Sequence, residues 1–331
     1  MSAAPTPKFP LQAAQVQTTL ACIAYAADTL NDAEPSLDEL HAAISHQLNG
    51  KPCYATGQNW KLVWGPVESK IDDNLIYAAF DKDSGTLAVS IRGTTSQTLS
   101  RFEDIPRSQS SFPGASGTAA KVSTQFLNGL KNVLKIKDKW HGKTLAQFYA
   151  DFGAQVAIKQ ITVNGHSQGA ALVPMMMLAL QDGLVGAPKV SQPVQGFAVA
   201  PPTSGNAAFA DIVNVQCDCW FIINPKDVVP LGYNRMLDVV TDGIPEKLNE
   251  IEEYFVRKII DHLNDWVQPK EWAQPVRQAI LQGVTIVAQG FFDQIGDQHN
   301  HNAYLHKLGA VQTDVGDPSA FPKSDPPVIK T

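Results

Sequence analysis

Ile161-Thr162-Val163-Asn164-Gly165-His166-Ser167-Gln168-Gly169-Ala170-Ala171-Leu172 is the stretch that decides the fold. Ile161 to Asn164 is a short β-branched run, as a buried strand requires, and Gly165 to Gln181 reads as a turn running into an apolar helix. Between strand and helix lies G-x-S-x-G. A turn of this kind drives the backbone of Ser167 into a strained conformation and brings the residues two positions to either side close together, where a Cβ would clash. The expected outcome is a serine hydroxyl exposed at the carboxyl edge of a sheet, above the N-terminus of the following helix.

Working outward, strands alternate with helices. Trp60 to Val67, Leu75 to Phe80 and Thr86 to Ile91 read as strands, the last two joined by a hairpin turn at Asp81-Lys82-Asp83-Ser84-Gly85. Lys121 to Ile136 and Thr144 to Ala157 read as helices, and Gly196 to Ala200 and Trp220 to Ile223 as buried strands. Leu11 to Leu30 reads as a packed helix, followed by a polar stretch to about Gly57. This order predicts a single α/β domain over residues 1–331, with a mostly parallel sheet covered on both faces. Within it, Ile244, Leu248, Ile251, Phe255, Ile259, Leu263 and Trp266 repeat at three and four, as do Val276, Ile280, Val284, Val287 and Phe291. We read residues 245–296 as a helical hairpin inserted into the domain, a cap on the main body.

Composition narrows the function. The 331 residues are 44% hydrophobic and 18% charged, which excludes a disordered chain, and the formal charge of −6 offers no basic stripe for nucleic acid. Four cysteines, Cys22, Cys53, Cys217 and Cys219, are too few and scattered for a disulfide scaffold and lack companions for a metal site. The opening residues lack the pattern of a secretory signal, and Ala170 to Leu180 is too short for a membrane span, so the expected location is cytoplasmic, or outside by a signal-independent route.

A serine hydroxyl becomes a nucleophile when a base takes its proton and an acid orients that base. In α/β-hydrolases these follow the serine in the order acid, then histidine. Asp227 lies just past the strand ending at Ile223-Asn224, whereas Asp211 and Asp218 precede that strand and face the other edge. Asp238 also competes. His166 must point away from the hydroxyl, and His262 lies inside the helical hairpin. His299, His301 and His306 remain as bases that order alone does not separate. The amide of Gln168, next after the nucleophile, is the expected first oxyanion donor, and the loop after Leu87-Ala88-Val89-Ser90-Ile91 is the expected source of the second.

Several motifs, in order, carry a resemblance to the class 3 lipases, the family of fungal-type triacylglycerol lipases. Ala24-Tyr25-Ala26-Ala27 resembles the family's first helix, Ser90-Ile91-Arg92-Gly93-Thr94 its F-R-G-[ST] segment, and Gly165 to Ala170 its G-H-S-x-G-[GA]. Ala200 to Asn206 is similar to its G-x-P-R-V-G-N turn, and Asp227-Val228-Val229-Pro230 to its D-I-V-P segment. The resemblance implies an α/β-hydrolase fold and makes Thr94 the second oxyanion donor. The family's histidine tends to precede a tyrosine by three, and His301-Asn302-Ala303-Tyr304 fits, so the resemblance selects His301. It departs in Ala170 for the commoner glycine, in Phe102 at best for a lid tryptophan, and in the missing disulfides of secreted members.

The implied activity is that of a serine carboxylester hydrolase, most simply a lipase, needing no cofactor or metal. Its expected partner is a lipid or ester substrate. The 95–112 loop, with amphipathic Arg101-Phe102-Glu103-Asp104-Ile105, occupies the lid position and is the expected contact with a lipid surface. A phospholipase acting as an exported toxin, and a hydrolase-like protein that only binds, are the alternatives.

Overall fold

The computed structural model of the chain describes residues 8–26, 35–50, 54–69, 74–93, 108–115, 119–231, 271–281, 296–310 and 329–330. In chain order the strands are β1 (Trp60–Ser69), β2 (Asn74–Asp81), β3 (Thr86–Arg92), β4 (Gln109–Ser111), β5 (Lys121–Ser123), β6 (Gln160–His166), β7 (Val194–Val199), β8 (Asp218–Ile223), β9 (Gln278–Leu281) and β10 (Ile329–Lys330). The helices are α1 (Leu11–Ile23), α2 (Leu37–Gly50), α3 (Thr124–Lys135), α4 (Leu145–Gly153), α5 (Gln168–Asp182), α6 (Ala207–Gln216) and α7 (His301–Lys307).

The main sheet runs β1-β2-β3-β6-β7-β8-β9-β10. Pairings from β3 through β9 are parallel, and antiparallel strands close both ends. Alternation along β2 sorts its side chains to two cores. Ile76, Ala78 and Phe80 pack with the apolar faces of α3, α5 and α6. Leu75, Tyr77 and Ala79 face Leu20 and Ile23 of α1 and Leu40, Ile44 and Leu48 of α2. Helix α5 is buried from Gly169 to Leu180 because the sheet lies on one side and α3 and α6 on others, the situation of a helix that is apolar all round.

The hairpin between β2 and β3 forms as expected: the Gly85 amide donates to the Asp81 carbonyl (2.9 Å), with Gly85 at φ 74°. The sequence reading fails at three places. The segment read as a helix from Lys121 begins instead with β5, and α3 starts only at Thr124, capped by Ser123. The polar stretch to Gly57 contains α2. Val276 and Ile280, read as part of a helical hairpin, lie at and in β9, where Ile280 pairs with Ile223. Alternation explains this correction: Ala279 and Leu281 are buried on the sheet face toward Tyr304, whereas Ile280 packs on the opposite core. The rest of the 245–296 hairpin, apart from 271–281 and Gly296, lies outside the described residues, as do the 95–107 part of the 95–112 loop, Asp238 and His262. No described helix is long and apolar enough to cross a membrane.

Candidate active site

Ser167 sits between β6 and α5 at φ 59°, ψ −130°, a region that side-chain-bearing residues rarely occupy. The turn closes tightly. A Cβ on Gly165 would stand 2.6 Å from the Gly169 carbonyl oxygen, and one on Gly169 would collide with the Ile91 backbone. The Ser167 amide donates to the Val199 carbonyl on the neighbouring strand (3.0 Å), fixing the turn to the sheet. Gln168 opens α5, so its N–H belongs to the first helical turn, where amides have no intrahelical acceptor.

Asp227 lies beyond β8 in a turn whose closing bond runs from its own amide to the Asn224 carbonyl (3.0 Å). It is fully buried, and a buried carboxylate must be satisfied by donors. Oδ1 accepts from the Val229 amide (2.9 Å). Oδ2 accepts from His299 Nδ1 (2.8 Å) and from the Tyr304 hydroxyl (2.7 Å). Burial, and then the Asp227 carboxylate, pushes the Tyr304 phenol well up, so it stays a donor. Tyr304 Oη in turn accepts from the Asn224 amide (3.1 Å). Asn224 Nδ2 donates to the Gln298 carbonyl (3.0 Å) and side-chain oxygen (2.8 Å), tying the turn to the residue before His299.

His299 completes the chain: its Nε2 lies 2.8 Å from Ser167 Oγ. The carboxylate accepts only, so Nδ1 carries the proton and the Nε2 lone pair faces the serine O–H. The ring is slightly exposed, at 15%, against 0% for the acid.

Of the residues named from the sequence, Ser167 and Asp227 meet at one histidine, and that histidine is His299, not His301. Asn300 caps α7 through its side chain, accepting from the Asn302 amide (2.8 Å), so His301 is the first helical residue. There its ring stacks on Tyr25, with centroids 4.8 Å apart and planes at 10°, turned toward α1 rather than into the Ser167–Asp227 line. His299 stands just ahead of the cap. The tyrosine that selected His301 is itself part of the site, but it bonds the acid. His306 lies in the last turn of α7, and Asp218 stands at the opposite end of β8, ion-paired with Arg277. Thr94 lies outside the described residues; its neighbour Gly93 is described and buried. Among the described residues no cluster of histidine, cysteine and carboxylate side chains is arranged to hold a metal, and Cys22, Cys217 and Cys219 are buried free thiols.

A mostly parallel sheet, a serine on the strand–helix turn, an acid after a later strand and a histidine near the last described helix together define the α/β-hydrolase fold. Residues 88–235 match the family model for lipase (class 3). A secreted mono- and diacylglycerol lipase, LIP4, of Malassezia restricta is 27% identical over 165 residues, covering 48% of this chain and 50% of the relative. The chain thus matches about half the length of its curated relatives. Among solved structures, M37 lipase aligns with a TM-score of 0.76 over 90% of this chain and 92% of its own, at 24% identity. The nonglycosylated LIP2 lipase of Yarrowia lipolytica aligns with a TM-score of 0.53 over 81% of this chain and 78% of its own, at 16% identity. Likeness at such identities speaks to the fold.

Proposed function

We propose that the protein is a serine carboxylester hydrolase that cleaves acyl esters of lipids through an acyl-enzyme. The observation that carries the reading is the continuous Asp227–His299–Ser167 hydrogen-bond chain, 2.8 Å at each link. In the reaction, Ser167 Oγ attacks the ester carbonyl while His299 Nε2 takes its proton. Asp227, held by Tyr304 and the Val229 amide, keeps the imidazole tautomer and stabilises the imidazolium that forms. His299 returns the proton to the leaving alcohol, and a water activated by the same nitrogen releases the fatty acid. The oxyanion is stabilised by the Gln168 amide at the N-terminus of α5 and, by family resemblance, by Thr94; loss of one such donor typically costs ~10²–10³-fold in turnover. The chemistry needs no cofactor.

Acylglycerols are the substrates we favour, because the Malassezia relative carries that activity in its name and the lipase family model covers the nucleophile and the acid. By sequence, Arg101-Phe102-Glu103-Asp104-Ile105 supplies the lipid-surface contact. Activity across p-nitrophenyl esters, a triglyceride and phosphatidylcholine tests the reading, with Ser167→Ala as control. Hydrolysis of the neutral lipids, lost in the control, is expected. Exclusive hydrolysis of phosphatidylcholine indicates a phospholipase, and no hydrolysis by the wild-type protein indicates a binding protein.

A further inference from the structure

His166, the residue before the nucleophile, is buried and takes no part in the proton chain from Asp227 to Ser167. Its two ring nitrogens nevertheless both have partners. Nε2 lies 2.9 Å from the backbone carbonyl oxygen of His299, and Nδ1 lies 3.1 Å from the Tyr25 hydroxyl. The Tyr25 hydroxyl also accepts from the Gly93 amide (3.1 Å).

These contacts settle one another's direction. A carbonyl oxygen can only accept, so Nε2 of His166 carries a proton. In a neutral ring Nδ1 is then an acceptor, and the Tyr25 O–H must donate to it. Burial, with His299 and His301 nearby, holds His166 well below the usual histidine range, which keeps the ring neutral. Tyr25 is pinned from its other face by the stacked ring of His301. The result is a one-way series: Gly93 N–H to Tyr25 Oη, Tyr25 O–H to His166 Nδ1, and His166 Nε2–H to the His299 carbonyl.

The series joins three parts of the site that are far apart in sequence. Gly93 directly follows β3 and precedes Thr94, His166 adjoins the nucleophile, and the His299 carbonyl belongs to the proposed base. His299 has side-chain bonds to the acid and the serine, but these fix its ring only if its backbone is fixed as well. A geometric error of about 1 Å at a reacting group is enough to cost on the order of 10²-fold in rate.

We propose that His166 and Tyr25 are positioning residues, holding the backbone of the general base and the end of the oxyanion strand in register with Ser167. The inference rests on the hydrolase reading above. It is tested in the full-length protein with Tyr25→Phe, which keeps the ring stack and removes the hydroxyl, and with His166→Gln, which keeps an N–H for the His299 carbonyl and loses the Nδ1 acceptor. Near-ultraviolet circular dichroism monitors folding. On a soluble p-nitrophenyl ester, kcat of Tyr25→Phe is expected to fall about tenfold, the rate equivalent of one hydrogen bond, with KM within about twofold of wild type; if Tyr25→Phe does not fold, His166→Gln is read the same way. Independently, nitrogen-15 spectra of the wild-type protein at neutral pH are expected to show His166 protonated at Nε2 only.

Unchanged kcat in a folded variant, or a proton on His166 Nδ1 at neutral pH, overturns the inference while leaving the hydrolase reading in place. Absence of hydrolysis by wild-type protein overturns both, and it is told apart by the failure of the unsubstituted enzyme.

Discussion

The Tyr304 hydroxyl and His299 Nδ1 converge on the same oxygen of Asp227, at 2.7 and 2.8 Å. One buried carboxylate oxygen thus takes two donors, one from His299 and one from α7, and the carboxylate has no freedom to turn away from the imidazole. Tyr304→Phe leaves that oxygen with a single donor and strips the Asn224 amide of its acceptor. We expect a loss of about 1–3 kcal/mol in unfolding free energy, read by urea denaturation, and a several-fold lower kcat with little change in KM.

His299 and His301 differ in what their loss should do. His299→Ala removes the proposed base and is expected to lower kcat/KM by roughly 10⁴–10⁶-fold, the loss typical of a catalytic triad. His301→Ala removes a ring that stacks on Tyr25 and lies edge-on to His166, and is expected to cost at most about tenfold. Steady-state kinetics on a soluble ester separate the two.

Acid stability should carry a signature of His166. Its folded pKa is depressed by burial and by the two neighbouring histidines, so below the unfolded value near 6.5 the unfolded chain binds a proton that the folded protein refuses. Above that value the group contributes no pH dependence. As pH falls through it, stability is lost with a slope approaching about 1.4 kcal/mol per pH unit for this one group. Equilibrium unfolding between pH 7.5 and 5 should show that slope, and His166→Gln should flatten it by about one proton.

The nucleophile turn tolerates no side chain at its glycines. Gly165→Ala places a Cβ against the Gly169 carbonyl, which is backbone and unable to yield cheaply. Overpacking of this kind typically costs about 1–3 kcal/mol or more, and here it also displaces Ser167. Expected are a lowered melting temperature and activity reduced more than the stability loss explains.

If Arg101 to Ile105 contacts lipid surfaces, rates on a short-chain triglyceride should jump as it passes its solubility limit. A smooth curve through that limit removes the proposal for this segment and leaves the chemistry at Ser167 untouched.

Much of this architecture was legible because β-branched runs and glycine-bounded turns carry local signals. Ser167 and Asp227 were legible for the same reason, each standing at the carboxyl end of a strand with a strong apolar pattern. Helix α2 was missed although its signals are present. Ser36 and Glu39 form a reciprocal cap, with the Ser36 amide donating to Glu39 (2.8 Å) and the Glu39 amide to the Ser36 hydroxyl (3.3 Å), and Leu40, Ile44 and Leu48 recur at four. Their surroundings are polar enough to mask the stripe. Strand β9 was misread because four residues of Gln278–Leu281 fit a helical spacing as well as an alternating one, and only pairing with β8 separates them. The histidine beside Ser167 is His299 and not the expected His301, because a histidine-to-tyrosine spacing says nothing about where a helix starts. The cap at Asn300 decides that, turning His301 toward Tyr25 and leaving His299 to face the serine.

The central claim is that His299, oriented by Asp227, activates Ser167. A fluorophosphonate probe followed by peptide mapping tests it most directly. The account predicts a single adduct on Ser167 in wild-type protein and in His301→Ala, and its near-complete loss in folded His299→Ala. Labelling that survives in His299→Ala and disappears in His301→Ala would contradict it.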